Sequence, residues 1–192
     1  VQVLLRRKQQ VAQMLQSVRT GLREVVNDPL TGLYNRRYAI PFMNRMIENS
    51  AASGAPFAVI LADMDHFKRI NDAYGHASGD AVLTETARRL RNAVRNTDVV
   101  ARMGGEEFLV AMPATDAHAA RSLAHRMCDA IGSMPFSIPG AHKPVPITIS
   151  LGLAIGTQHQ CSAIRKPESV DALLDRADKA LYGAKMQGRN RV

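Results

Sequence analysis

The sequence predicts an α/β (α+β) domain, with a mixed central sheet flanked by helices. Strand-like apolar runs alternate with helical segments along most of the 192 residues, the pattern of layered helices and strands. The tract "ARMGGEEFLVAMP", residues 101–113, sets Gly104-Gly105 between two apolar runs. It reads as a tight hairpin, because glycine takes the positive φ that two-residue hairpin turns need. A hairpin forces an antiparallel pair into the sheet and so excludes a doubly wound, all-parallel nucleotide fold. With 46% hydrophobic residues, 5% aromatic residues and no Trp, the core is expected to be mainly aliphatic.

Residues 1–27 read as a linker helix. Leu4, Val11, Val18 and Val25 recur every seventh residue, and Leu15 and Leu22 fall four after Val11 and Val18. This two-stripe heptad, interrupted by Lys8, fits a parallel coiled coil or a single amphipathic helix lying on its own domain. Pro29 ends it, since the residue before a proline disfavours helical geometry. A compact domain is expected over 28–192. Within it, 35–52 reads as a helix and "PFAVILADMD", 56–65, as a buried strand running into acids. "NDAYGHASGD", 71–80, reads as loop, with a helix over 79–94. "DVVARM" and "EEFLVAMP" are the hairpin arms, followed by a helix over 115–132. "VPITISLGLAIG", 145–156, is a second strand region and 168–187 a final helix, while 156–167 carries the least pattern.

The formal charge is +8, which invites a nucleic-acid partner. Half of that excess sits before residue 27, where Arg6, Arg7, Lys8, Arg19 and Arg23 face only Glu24. The remainder suits a small polyphosphate equally well. No groove-reading motif or aromatic platform supports nucleic-acid binding, so none is expected. Cys128 and Cys161 form no CxxC, which argues against a disulfide scaffold or zinc site and fits a reducing compartment. No apolar run is long enough to cross a bilayer and no signal peptide is visible. The expected location is the cytoplasm, either as a free protein or as the cytoplasmic part of a membrane-anchored one, since Val1 leaves room for upstream sequence.

The chemistry is expected at the acids. Asp63 and Asp65 end a strand-like run two residues apart and so share a face. Glu106 and Glu107 follow the hairpin glycines, where adjacent carboxylates repel and burial makes each costly. If the "PFAVILADMD" strand lies beside the hairpin, Asp63 and Glu106 converge. Two readings then fit. Hard carboxylate oxygens at a strand end suit Mg²⁺ with substrate phosphates. Alternatively, the acids pair with bases such as Arg102 or Lys68.

From about Asp28 to Arg191 the chain resembles a GGDEF domain, the catalytic domain of diguanylate cyclases. The resemblance rests on five segments in order: "DPLTGLYNRR", "DMDHFKRINDAYGHASGD", "RMGGEEF", "ITISLGLA" and "ADKALYGAKMQGRN". The signature stands in its GGEEF form. The resemblance implies a fold like the nucleotidyl-cyclase and polymerase palm, and conversion of two GTP into cyclic di-GMP and two pyrophosphates. It implies a homodimer for catalysis, an upstream sensory domain, and Mg²⁺ as cofactor with Mn²⁺ as an alternative.

By position, the resemblance makes Asp63, Glu106 and the backbone carbonyl of Met64 metal ligands, with Glu107 assisting. Glu106 is also the base for the 3′-hydroxyl. Asn71 and Asp80 would meet the guanine edge, as an amide and a carboxylate can, with His76 close to the nucleotide. Lys68, Lys185 and Arg189 would hold phosphates. Each has a plainer reading: Lys185 and Arg189 are spaced i, i+4 near a helix end, where cations favour the dipole, and Asn71 is a turn former. Arg95 and Asp98 of "RNTD" match the family's RxxD product-inhibition site, with Arg126 a second contributor; the plainer reading is a surface i, i+3 ion pair. Asp28 and Arg36 are expected to pair at the domain's start, and Leu181 and Tyr182 to be core. Met103 replaces an aromatic residue common in the family, which is expected to alter packing rather than activity. The function expected is that of an active diguanylate cyclase; a non-catalytic GGDEF module that binds GTP or cyclic di-GMP is the alternative.

Overall fold

The computed structural model describes residues 21, 25–156 and 168–192. Heptad positions Leu4, Val11, Leu15, Val18 and Leu22, together with segment 157–167 and its Cys161, lie outside the described residues. Val25 is 53% exposed. In chain order the elements are β1 (Tyr34–Asn35), α1 (Arg36–Ser53), β2 (Ala58–Met64), α2 (Phe67–Tyr74) and α3 (His76–Ala93). Then come β3 (Val99–Gly104), β4 (Glu107–Met112), α4 (Ala117–Gly132), β5 (Ile149–Ile155) and α5 (Val170–Met186).

The strands form one sheet in the order β1-β3-β4-β2-β5. β1 runs parallel to β3, and every other neighbouring pair is antiparallel, so the sheet is mixed as expected. β2 lies between β4 and β5, paired to β4 over Ala58–Asp63 and to β5 over Ala58–Met64. Its unbroken apolar run follows from helices covering both faces. On one face Ile60, Ala62 and Met64 pack with Leu83 and Leu90 of α3 and Met127 and Ile131 of α4. On the other, Val59, Leu109 and Ala111 pack with Met43 and Ile47 of α1 and Leu173 and Ala177 of α5. The core is largely aliphatic, as the composition implied.

Several local expectations are corrected. The segment 71–80 is not loop: it is the last turn of α2 and the first turns of α3, joined at Gly75 with φ 83°. Its small residues read as loop because they serve a close approach of two helices. A Cβ at Gly79 would overlap the Asn71 side chain and lie 3.1 Å from the Phe67 ring. The two-residue β1 has no alternation to read. Asp28 pairs not with Arg36 but with Arg102, at 3.2 Å. The parallel register of Asn35 with Arg102 brings that guanidinium alongside the domain entry, while Arg36 is exposed. Leu181 is core at 6% exposure, but Tyr182 is 64% exposed; one step along a helix turns a side chain about 100° away from the buried stripe.

Candidate active site

β2 ends between two neighbours, with Asp63 in register with Glu107 of β4 and Ser150 of β5. The Met64 N–H donates to the Glu106 carbonyl at 3.4 Å, which seats the hairpin turn against the end of β2. Asp63 and Glu106 therefore converge. Asp63 is largely buried, and its Oδ1 is 2.8 Å from Lys185 Nζ of α5. Its cation is thus Lys185, and neither Arg102 nor Lys68. Burial pushes the Glu106 carboxyl above its usual range; repulsion from Asp63 adds to this, Lys185 opposes it and Glu107 adds again. Glu107 itself is exposed.

The turn is held from behind. Gly105 has φ 50°, and the register slips between Arg102 and Gly104. Arg102 Nε and Nη2 donate to the Gly105 carbonyl at 2.9 and 2.8 Å. Its Nη1 donates to both Asp28 carboxylate oxygens at 3.2 Å. Burial tends to raise the Asp28 carboxyl, but the Thr31 hydroxyl and N–H and the Arg102 guanidinium outweigh it and hold it below its ordinary value. From the sequence, Arg102 is only a possible ion-pair partner of the acids. Its grip on the residue just before Glu106 becomes visible only with the bulge in place.

The α2–α3 corner carries the other candidates. Asn71 lies in the last turn of α2, where its carbonyl accepts the Gly75 N–H at 2.8 Å, and its side chain lies over Gly79 of α3. His76 opens α3, Asp80 stands one turn on, and both are exposed, as is Lys68 on α2. Asn71 and Asp80 thus flank one helix–helix corner. Lys185 lies in the last turn of α5, which ends at Met186. Arg189 follows in a reversed backbone with φ 63°, so the two cations do not share one helical face as their i, i+4 spacing suggested.

Asp63 and Asp65 have separate partners. The buried Asp65 carboxylate accepts from Thr148 Oγ1 at 2.6 Å, Ser150 Oγ at 2.7 Å and the Asn190 N–H at 3.1 Å.

At the far end of α3, Asp98 Oδ2 accepts the Arg95 N–H at 3.0 Å, and the Asp98 N–H returns to the Arg95 carbonyl at 3.1 Å. The two residues close a turn through backbone groups; the side-chain ion pair of the plainer reading does not occur. Arg126 of α4 donates to the Ala93 carbonyl at 3.2 Å, which brings it beside this corner. A groove of about 580 Å³ runs between the corner and α1, lined by Tyr38, Phe42, Arg45, Asn49, Arg95 and Thr97.

Among the described residues no three His, Cys, Asp or Glu side chains form a metal cluster. Two carboxylates, Asp63 and Glu106, meet beside the Met64 backbone. These are hard oxygen donors, and a magnesium ion is commonly held by one or two carboxylates together with substrate phosphates. Lys185 is the cation that meets Asp63 there, while burial, and then repulsion from Asp63, raise the Glu106 carboxyl. The donor set fits a small divalent cation.

The family described as "Diguanylate cyclase, GGDEF domain" matches residues 25–191. The chain belongs to that family. It is 36% identical over 192 residues to the response regulator PleD of Caulobacter vibrioides, covering 100% of this chain and 41% of PleD. It is 40% identical over 170 residues to diguanylate cyclase DgcP of Pseudomonas aeruginosa, covering 88% of this chain and 24% of DgcP. The chain thus spans less than half the length of either relative. Its fold matches the coiled coil and GGDEF domain of DgcB from Caulobacter crescentus, solved in complex with c-di-GMP. The TM-score is 0.86 at 28% identity, over 98% of this chain and 95% of that one.

Proposed function

We propose that residues 28–192 form a diguanylate cyclase that condenses two GTP into cyclic di-GMP with release of two pyrophosphates. The observation that carries this reading is the convergence of Asp63 and Glu106 at the end of β2, under a hairpin turn gripped by Arg102. Asn71 and Asp80 read the guanine edge from the α2–α3 corner, with His76 beside the nucleotide. Lys68, Lys185 and Arg189 hold the phosphates. Asp63, Glu106 and the Met64 carbonyl, with help from Glu107, would hold Mg²⁺ or Mn²⁺, which would supply charge neutralisation for phosphoryl transfer.

Glu106 accepts the proton of the ribose 3′-hydroxyl. Burial, with repulsion from Asp63, raises its carboxyl above the ordinary glutamate range, which favours uptake of a proton. The 3′-oxygen then bonds to the α-phosphorus of a second GTP, the bond from that phosphorus to the β-phosphate oxygen breaks, and pyrophosphate leaves. A repeat in the opposite sense closes the ring. Each chain offers one such site, so two copies face each other about a twofold axis. The heptad of residues 1–27 tethers them and raises the effective concentration of one half-site near the other, under the control of an upstream sensory domain. Cyclic di-GMP binds back at Arg95, Asp98 and Arg126 and inhibits. These reactions belong in the cytoplasm, where GTP is found.

Incubating the protein with GTP and Mg²⁺ tests the reading. Cyclic di-GMP and pyrophosphate in a 1:2 ratio are expected. GTP or cyclic di-GMP binding without turnover would instead identify a non-catalytic module.

A further inference from the structure

Asp65 stands two residues past Asp63 yet takes no part in its ion pair. It is 6% exposed, and three donors reach its carboxylate. Two are hydroxyls, Thr148 just before β5 and Ser150 within it, at 2.6 and 2.7 Å. The third is a backbone N–H, that of Asn190, at 3.1 Å. The backbone it catches is unusual. Gly188, Arg189 and Asn190 have φ of 114°, 63° and 49°, a run that non-glycine residues adopt only where surrounding contacts impose it. Those contacts are present: the Arg189 N–H donates to the Ala184 carbonyl at 3.0 Å, and the Leu151 N–H to the Arg191 carbonyl at 2.8 Å. Residues 188–191 are therefore a hook, folded back from α5 onto β5, with Asp65 bonded at its bend.

We propose that Asp65 is a positioning residue for the nucleotide triphosphate. By pinning the Asn190 N–H it holds Arg189 in the left-handed bend, one short turn beyond Lys185, whose ammonium already meets Asp63. A single stretch, Asp63 to Asp65, thus faces the metal–phosphate site with its first carboxylate and anchors a phosphate-binding arginine with its last. This rests on the reading that Arg189 and Lys185 bind the triphosphate.

The test compares equilibrium binding of GTP and GMP to the parent, Asp65→Ala, Asp65→Asn, Arg189→Ala and the double variant Asp65→Ala with Arg189→Ala. Arg189→Ala is expected to weaken GTP by roughly 10-fold or more while leaving GMP near its parent value, the loss of a hydrogen bond to a charged group. Asp65→Ala is expected to show the same GTP-selective loss, and the double variant no more than the larger single loss. Asp65→Asn is expected to stay within about twofold of the parent, because its carbonyl accepts from Asn190 and Thr148 while its amide donates to Ser150. Parent-like GTP affinity in Asp65→Ala, beside a loss in Arg189→Ala, overturns the proposal alone. So does an Asp65→Ala loss equal for GTP and GMP. Parent-like GTP affinity in Arg189→Ala overturns the phosphate reading of Arg189 and the proposal with it. Should Asp65→Ala not fold, amide exchange in the parent decides: slowed exchange at Asn190 supports the pin, and exchange at the unprotected rate overturns it.

Discussion

At the Glu106 end of the sheet the charged side chains are matched to one another, whereas at the Arg95 corner they are matched to backbone. Asp63 meets Lys185 at 2.8 Å, and Arg102 meets Asp28 at 3.2 Å with both side chains under 20% exposed. At the Arg95 corner, Asp98 is engaged by an N–H, and no ion pair involves Arg95 among the described residues. The first region has its electrostatics fixed before a ligand arrives, which is what transition-state stabilisation needs. The second leaves a guanidinium in solvent beside an open groove, where its planar fork remains available to a partner. On the proposed function, preorganisation marks the chemical site and availability the regulatory one.

The sharpest way to break this contrast is Glu106→Gln. The amide keeps the size of the side chain but loses the base and a metal-binding charge, so turnover is expected to fall by roughly 10²–10⁴-fold. Thermal unfolding should be unchanged or slightly improved, because the variant removes a charge that burial and then repulsion from Asp63 disfavour. A parent-like rate would remove Glu106 from the mechanism. Next in size is Asn71→Ala with Asp80→Ala. Guanine donors and acceptors left unpaired cost on the order of 1–3 kcal/mol each when buried. GTP affinity and the preference for GTP over ATP should both drop, and a competition assay that still finds the parent's selectivity would contradict the base-reading corner.

Arg95→Ala sharpens the other side of the comparison. It takes away the available guanidinium while leaving the Asp98–Arg95 backbone turn in place, so inhibition by added cyclic di-GMP should weaken within the 5–150-fold range usual for coupled sites. Initial rates without product should not change. Identical inhibition curves for parent and variant would rule out this corner as the inhibitory site. The smallest effect concerns stability away from both sites. Glu85 is held down to about 2, first by its hydrogen bond to Arg88 and, against the opposing effect of burial, also by Arg89. A depressed carboxylate adds stability above its unfolded value near 4.5, and that stability is lost as pH falls from there toward about 2. Glu85→Gln should flatten this acid limb and lower Tm at neutral pH by only roughly 1–3 °C, since Glu85 stays partly open to solvent, which screens its pairs with Arg88 and Arg89. An unaltered acid limb in the variant would show that the pair does not form in solution.

How much of this could be read from the sequence differs between the same regions. Asp63 and Glu106 interrupt apolar runs, and a glycine pair fixes that β3 and β4 adjoin; that β2 lies beside β4, the condition for their convergence, comes from the sheet order. The α2–α3 corner was hidden because Gly75, Ser78 and Gly79 look like loop residues, although Gly75 turns the chain between the helices and Gly79 lets them touch. The link from Asp28 to Arg102 spans 74 residues and depends on a parallel pairing of a two-residue strand, for which no periodicity exists. The hook held by Asp65 joins positions 125 residues apart. Such contacts are made by tertiary packing and leave no local trace. Tyr182 erred the other way, its apolar ring suggesting core on a helix face that is turned to solvent.

The central claim is that nucleotide and divalent ion meet at the preorganised Asp63–Glu106 edge, where Lys185 supplies the balancing charge in the free protein. Paramagnetic broadening by Mn²⁺ in the presence of GTP, followed residue by residue, tests it most directly. The expected result is broadening centred on Asp63, Met64, Glu106 and Glu107 that disappears in Asp63→Asn. Broadening centred elsewhere, or unchanged in Asp63→Asn, would contradict the assignment of this edge as the active site.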